Sequence, residues 1–140
     1  VVIEEEIKGI EVECGVLEYP DGRVVAAAPA ELIGTEDGEA GFYDFSAKYL
    51  DGQVSAHIPA RIGEKQIARV KDIAVQTFKA LNCEGLARVD FFVTDEGPVI
   101  NEINTLPGFT PISMYPQVFQ AEGVSYGELL HILVEQALSK

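Results

Sequence analysis

The sequence predicts an α+β domain, and three observations carry that prediction. Two turn signals, Asp21-Gly22 and Asp95-Glu96-Gly97-Pro98, each separate short apolar runs of strand character. Between them Ile67, Val70, Ala74, Phe78 and Leu81 recur at three- and four-residue steps, the stripe of an amphipathic helix lying on a sheet. Two further helical stretches close the chain, so strands, helix, hairpin and paired helices follow one another.

Taken in order, Val1 to Ile7 and Val12 to Leu17 read as strands, and Asp21-Gly22 pairs Leu17-Glu18-Tyr19 with Val24-Val25-Ala26 in an antiparallel hairpin. From Gly34 to Gly63 the periodicity dissolves around Phe42, Tyr43, Phe45 and Tyr49, which reads as a lid or binding loop. Glu64 to Leu81 is the helix, and Leu86 to Thr94 and Val99 to Asn104 form the second hairpin. The first closing helix begins near Ser113, tolerates Pro116 in its opening turn and stops at Gly123. The second starts at Ser125, which has capping-box spacing to Glu128, and buries Leu129, Leu130, Leu133 and Leu138. His57 reads as a solvated lid residue and His131 as a partly buried structural one.

A chain of 140 residues that is 47% hydrophobic has the length and apolar content of one globular domain. No apolar run approaches the roughly 18 residues of a membrane span, and the N-terminus lacks the pattern of a signal peptide. Cys14 and Cys83 form no CxxC pair, which points to a reducing cytoplasm. A formal charge of -13 argues against nucleic acid, whose backbone is held by clustered Lys and Arg. The opening Val1-Val2-Ile3, without Met, reads as part of a longer polypeptide.

Strand alternation puts Arg88 and Asp90 on one face of their strand and Ile100, Glu102 and Asn104 on one face of the next. With Asp95 to Gly97 as the loop, Thr94 pairs with Pro98, so Asp90 faces Glu102 and Arg88 faces Asn104. Opposed carboxylates repel, and a cation between them removes the conflict. Two carboxylates and an amide oxygen, without His or Cys, suit magnesium or manganese, which complete their shells with water and phosphates. A solvated acidic hairpin would show much the same alternation. Thr105-Leu106-Pro107-Gly108-Phe109-Thr110 favours the metal site, because its glycine admits close backbone approach to a ligand and a helix N-terminus follows.

Gly85-Leu86-Ala87-Arg88-Val89-Asp90, Asn101-Glu102-Ile103-Asn104-Thr105 and Pro107-Gly108-Phe109-Thr110 together resemble the signature of D-alanine-D-alanine ligases, of the ATP-grasp superfamily. The resemblance runs through Phe42-Tyr43-Asp44-Phe45 and Ala47-Lys48-Tyr49 and covers the whole chain. It implies the C-terminal ATP-grasp subdomain of an enzyme that phosphorylates one D-alanine carboxylate with ATP and lets the amine of a second attack the acyl phosphate. By motif, Asp90, Glu102 and Asn104 would hold two magnesium ions, Glu102 serving both. Arg88 and the Gly108 N-H would stabilise the tetrahedral oxyanion, and Ser113 and Met114 would receive the second substrate's carboxylate. An ion pair between Arg88 and Asp90 and a helix N-cap at Ser113 are the structural alternatives.

The resemblance also gives Lys48 a contact to ATP phosphate and puts Tyr49 where the lid meets the second substrate. The related D-alanine-D-lactate ligases commonly carry histidine there, so tyrosine favours an amine nucleophile. Glu4 and the Glu6 to Ile7 backbone would read adenine and Glu11 the ribose, although Glu4-Glu5-Glu6 departs from the lysine often found in that hinge. The family's N-terminal substrate domain and Gly-rich phosphate loop have no counterpart in these residues, so the expected partners are ATP, D-alanine and the rest of the same polypeptide, with a homodimer as the candidate assembly. The expected isolated chain folds without turning over. Another ATP-grasp carboxylate-amine ligase and a non-catalytic divalent-metal domain are the competing readings.

Overall fold

The structure is a computed structural model that describes residues 1, 3–33 and 56–140. The lid segment with Phe42, Tyr43, Lys48 and Tyr49 lies outside the described residues. The longest strands are β1 (Ile10–Glu18), β5 (Leu86–Thr94) and β6 (Gly97–Asn104), accompanied by β2 (Val24–Ala26), β3 (Ala30–Leu32) and β4 (Ala56–His57). They form one antiparallel sheet in the order β4-β3-β1-β5-β6, with β2 also paired to β1. Among the described residues three helices pack on it, α1 (Glu64–Ala80), α2 (Met114–Ala121) and α3 (Tyr126–Leu138).

The two sheet faces are chemically different because successive side chains alternate. Val12, Cys14 and Val16 of β1 join Ala87, Val89, Phe91 and Val93 of β5 beneath Val70, Ala74 and Phe78 of α1. On the opposite face β1 presents Glu11, Glu13, Gly15 and Leu17, a series that passes from acid to apolar along the strand. Its apolar end is covered by Tyr115, Val118, Phe119 and Leu129 of α2 and α3, which pack with Leu17 and Ala30. Gly15 makes that contact possible, since a Cβ there would stand 2.9 Å from Phe119 and 3.0 Å from Val118. The buried Tyr115 hydroxyl donates to the Val16 carbonyl at 2.9 Å, which fixes α2 to β1. Burial, and secondarily Tyr19, pushes the phenol's pKa up and keeps it a donor.

The first hairpin, α1 and β5 follow the sequence reading, the strands of the hairpin pairing Leu17 with Val25 and Glu18 with Val24. Ser125 caps α3 by accepting from the Glu128 N-H, and Gly123 ends α2's turn at a φ of 91°. Several expectations are corrected. The strand expected from Val1 to Ile7 is not formed: its described residues, 1 and 3–7, are exposed and, among the described residues, no strand lies beside them to pair with. The predicted lid contains the short strand β4, where His57 pairs with Glu31 and is half-buried. In α3 the buried side chains are Leu129 and Gln136, whereas Leu130 and Leu138 face solvent and His131 is exposed. Gln136 is drawn inward because it donates to the Glu18 carboxylate at 2.6 Å.

Two measurements probe this architecture. Gly15→Ala forces a methyl into the α2 contact and is expected to cost about 1–3 kcal/mol in a denaturant titration, as overpacked cores do. Glu31 accepts from the Arg61 backbone N-H at 2.9 Å and from its guanidinium at 3.0 and 2.7 Å, and these bonds pull its pKa from 4.5 to about 2 against the opposing effect of burial. A carboxylate with a depressed folded pKa stabilises fully above its unfolded value and loses that contribution as pH falls. The melting-temperature advantage over Glu31→Gln should therefore be constant above pH 4.5 and vanish as pH falls toward 2.

Candidate functional site

Glu11, Arg88, Asp90, Glu102 and Asn104 lie at the acidic end of the face opposite α1. Register pairs Glu13 with Asp90 and Asp90 with Glu102, so three carboxylates form a row across β1, β5 and β6. The adjacent row is Gly15, Arg88 and Asn104. Both cross-strand pairs expected from sequence, Asp90 with Glu102 and Arg88 with Asn104, are present.

The route to that register differs from the expected one. The turn has two residues, Asp95 and Glu96, with Thr94 paired to Gly97, which would slide every later pair by one position. A bulge between Phe91 and Asp90 leaves Asn101 as an extra residue on β6 and restores the alignment. Ile100 consequently pairs with Phe91, on the α1 face, and does not share a face with Glu102 as alternation alone suggested. The tip is held by Thr94 Oγ1, which donates to the Gly97 carbonyl at 2.9 Å and accepts from the Glu96 N-H at 3.2 Å.

Arg88 grips Asp90 side-on, with Nε to Oδ1 at 2.8 Å and Nη2 to Oδ2 at 2.7 Å. Nη2 also lies 3.4 Å from Oε1 of Glu13. The three side chains are only 14%, 13% and 9% exposed for Arg88, Asp90 and Glu13, so water screens them weakly. Burial alone would lower the guanidinium's pKa, but the Asp90 hydrogen bonds and the charges of Glu13, Asp90 and Glu102 outweigh it and raise the pKa. The ion pair between Arg88 and Asp90, one of the alternatives read from sequence, is formed.

A cleft of about 190 Å³ opens on the row and is lined by Glu11, Val12, Glu13, Leu32, Asp90, Phe91, Asn101 and Glu102. That is smaller than the roughly 300 Å³ at which small-molecule pockets begin, so the cleft alone does not enclose a ligand of that size. Arg88 and Asn104 are not among its lining residues. Asn104 Oδ1 accepts from the Leu106 N-H at 3.2 Å and starts the turn that follows. Among the described residues, no three His, Cys, Asp or Glu side chains already enclose a point as metal ligands do.

The donor set nevertheless fits a hard divalent cation, since it is all oxygen and sets three carboxylates in one row. Magnesium takes one or two protein carboxylates and leaves the rest of its shell to water and phosphate, so a preformed cage is not needed.

Beyond Asn104, the segment carrying Gly108 is fastened by aromatic packing. The Tyr126 hydroxyl donates to the Phe109 carbonyl at 2.7 Å, and the Phe109 ring lies 5.7 Å from Tyr115 and 5.6 Å from Tyr126. Ser113 occupies the N-cap position of α2 but caps no helix N-H. Its hydroxyl instead accepts from the Thr110 N-H at 3.0 Å and pairs with the Thr110 hydroxyl at 2.8 Å. Gly108 is exposed, Ser113 and Met114 half-buried. Glu4, Glu6 and Ile7 lie on the exposed N-terminal segment, and among the described residues Glu11 is the expected nucleotide contact that lines the cleft.

Sequence reasoning missed two polar residues of this wall, Glu13 and Asn101. Glu13 was within reach, since pairing the strand Val12 to Leu17 against Leu86 to Thr94 would have put it beside Asp90. Asn101 was not, because a bulge leaves no mark in the alternation.

Known proteins match this chain along its length. A curated D-alanine-D-alanine ligase from Corynebacterium efficiens is 68% identical over 140 residues, and one from Nocardia farcinica 53% identical over the same span. In both cases the match covers all of this chain and 39% of the relative, so the chain spans about two fifths of their length. Among solved structures, the D-alanine-D-alanine ligase from Coxiella burnetii superposes with a TM-score of 0.76 at 36% identity, covering 96% of this chain and 33% of that one. A D-Ala:D-Ser ligase from Enterococcus faecalis gives a TM-score of 0.76 at 36% identity over 94% of this chain and 37% of its own. The family described as D-ala D-ala ligase C-terminus matches residues 1–135, and with fold and sequence in agreement this chain belongs to that family.

Proposed function

We propose that this chain is the C-terminal ATP-grasp part of an ATP-dependent D-alanine-D-alanine ligase of peptidoglycan precursor synthesis, acting in the cytoplasm. In this reading the rest of the polypeptide supplies the first substrate's domain and the Gly-rich phosphate loop. The observation that carries it is the register that aligns Glu13, Asp90 and Glu102 in one row on the sheet face opposite α1. An acidic row beside a cleft is costly to keep unless a cation is to be held there.

In the reaction, the γ-phosphoryl group of ATP passes to the carboxylate of one D-alanine, giving an acyl phosphate and ADP. The amine of a second D-alanine then attacks the acyl carbon, and phosphate leaves as the amide forms. Asp90, Glu102 and Asn104 would hold two magnesium ions, manganese substituting, which when bound neutralise charge on the phosphates. Arg88 stands one row from the carboxylates, where its guanidinium can donate to the oxygen that becomes negative as the amine attacks.

The Gly108 N-H is the second donor in this reading, and the Tyr126 bond to Phe109 keeps its segment in place. Ser113 and Met114 receive the acceptor's carboxylate at the start of α2. Glu11 lies at the cleft wall for the ribose, with Glu4, Glu6 and Ile7 for adenine. Lys48 and Tyr49 complete the proposal from the lid, where Tyr49 supports an amine acceptor. The D-Ala:D-Ser ligase shares the fold equally well, so the choice of D-alanine as acceptor rests on the higher identity to D-alanine-D-alanine ligases.

In the full-length enzyme, D-alanine-dependent phosphate release reads these roles directly. Asp90→Asn and Glu102→Gln are each expected to lower kcat by about 100-fold or more, and Arg88→Lys by about 100-fold with KM for ATP preserved. Wild-type rates in either carboxylate variant would rule out the metal assignment. Phosphate release without D-alanine, but with a different acid or amine, would move the protein to another ATP-grasp ligase.

A further inference from the structure

Asp90 has two claimants. Arg88 holds both of its oxygens side-on, and the cation of the proposed function needs the same carboxylate. A guanidinium and a divalent ion a few ångströms apart, in a setting this weakly screened, repel one another. Asp90 can serve the cation well only if Arg88 has another anion to move to. The sheet supplies one. Glu102 and Glu13 flank Asp90 on opposite sides, from β6 and β1, and Glu13 already lies 3.4 Å from Arg88 Nη2. Glu13 is 7% exposed, so its charge is not kept there for solubility.

We propose that Glu13 is a positioning residue that takes the Arg88 guanidinium from Asp90 when the cation arrives, keeping Arg88 charged, ordered and aimed at the reacting carbonyl. This rests on the metal-dependent ligase reading and adds a role that the sequence motifs do not contain. The cation sits toward Glu102, and the guanidinium shifts toward Glu13. One carboxylate releases what the neighbouring strand's carboxylate receives, so the charge of the row stays balanced. Without Glu13, Arg88 would remain on Asp90 and compete with the ion.

The test is Mn2+ binding to the full-length enzyme with saturating ADP, the free ion followed by its electron paramagnetic resonance signal. Wild type, Glu13→Gln, Arg88→Met and the double variant form a cycle. Glu13→Gln is expected to weaken Mn2+ binding about 10-fold, and in the Arg88→Met background to change it by less than about 2-fold. An equal loss in both backgrounds means that Glu13 acts only as a nearby charge; it overturns this proposal and leaves the metal assignment standing. Absence of any Mn2+ site sensitive to Asp90→Asn overturns both. A wild-type crystal structure with Mg2+ and ADP gives a reading that needs no variant. Arg88 closing on Glu13 from 3.4 Å to about 2.9 Å, with Asp90 turned to the ion, supports the exchange. Arg88 still side-on to Asp90 overturns it.

Discussion

A change of chemistry halfway along one face of β1 governs the rest of the molecule. Leu17 and Gly15 offer an apolar surface and an absent side chain, and α2 presses against the sheet there until Phe119 and Val118 occupy the space a Cβ would need. Glu13 and Glu11 begin where that cover ends. Burying apolar area stabilises by roughly 25 cal/mol per Å², which holds α2 over the apolar end, whereas the buried Glu13 needs the Arg88 guanidinium beside it to offset the cost of its charge. The cleft lies at the acidic end of that face. Its position follows from the core and needs no separate device.

Charge on the acidic half is arranged by the strands rather than by loops. Antiparallel register fixes the spacing of Glu13, Asp90 and Glu102, and Arg88 sits one row away, close enough to hold Asp90 and touch Glu13. A side-on guanidinium bond gives direction as well as attraction, and it keeps the acidic row from splaying when nothing else neutralises it. The two functions proposed for Arg88, oxyanion donor and counter-charge, use the same geometry at different moments. Sites built on strands hold such tolerances better than sites on loops.

Much of this was legible in the residues. The 3.6-residue stripe gave α1, and the period-two alternation of β5 gave the separation of Arg88 and Asp90 from Val89 and Phe91. The pairing of Asp90 with Glu102 was reached through a turn one residue too long, and the bulge at Asn101 supplied the missing offset. Val1 to Ile7 looked like a strand because apolar content was counted without asking which neighbour would bond the backbone. The buried face of α3 was misassigned because Gln136 buries itself on Glu18, a long-range partner that helical periodicity cannot register. Glu13 escaped for the same reason: its meaning lies in a strand far away in sequence.

The extra residue at Asn101 divides the second hairpin into two phases. Its outer half follows the turn and pairs Ile100 with Phe91, whereas its inner half pairs Glu102 with Asp90 and Asn104 with Arg88. Such a dislocation acts as mechanical insulation. Drift in the turn, by substitution or altered length, is absorbed at the seam before it reaches the carboxylates. The tip can diverge between lineages while the acidic row keeps its spacing.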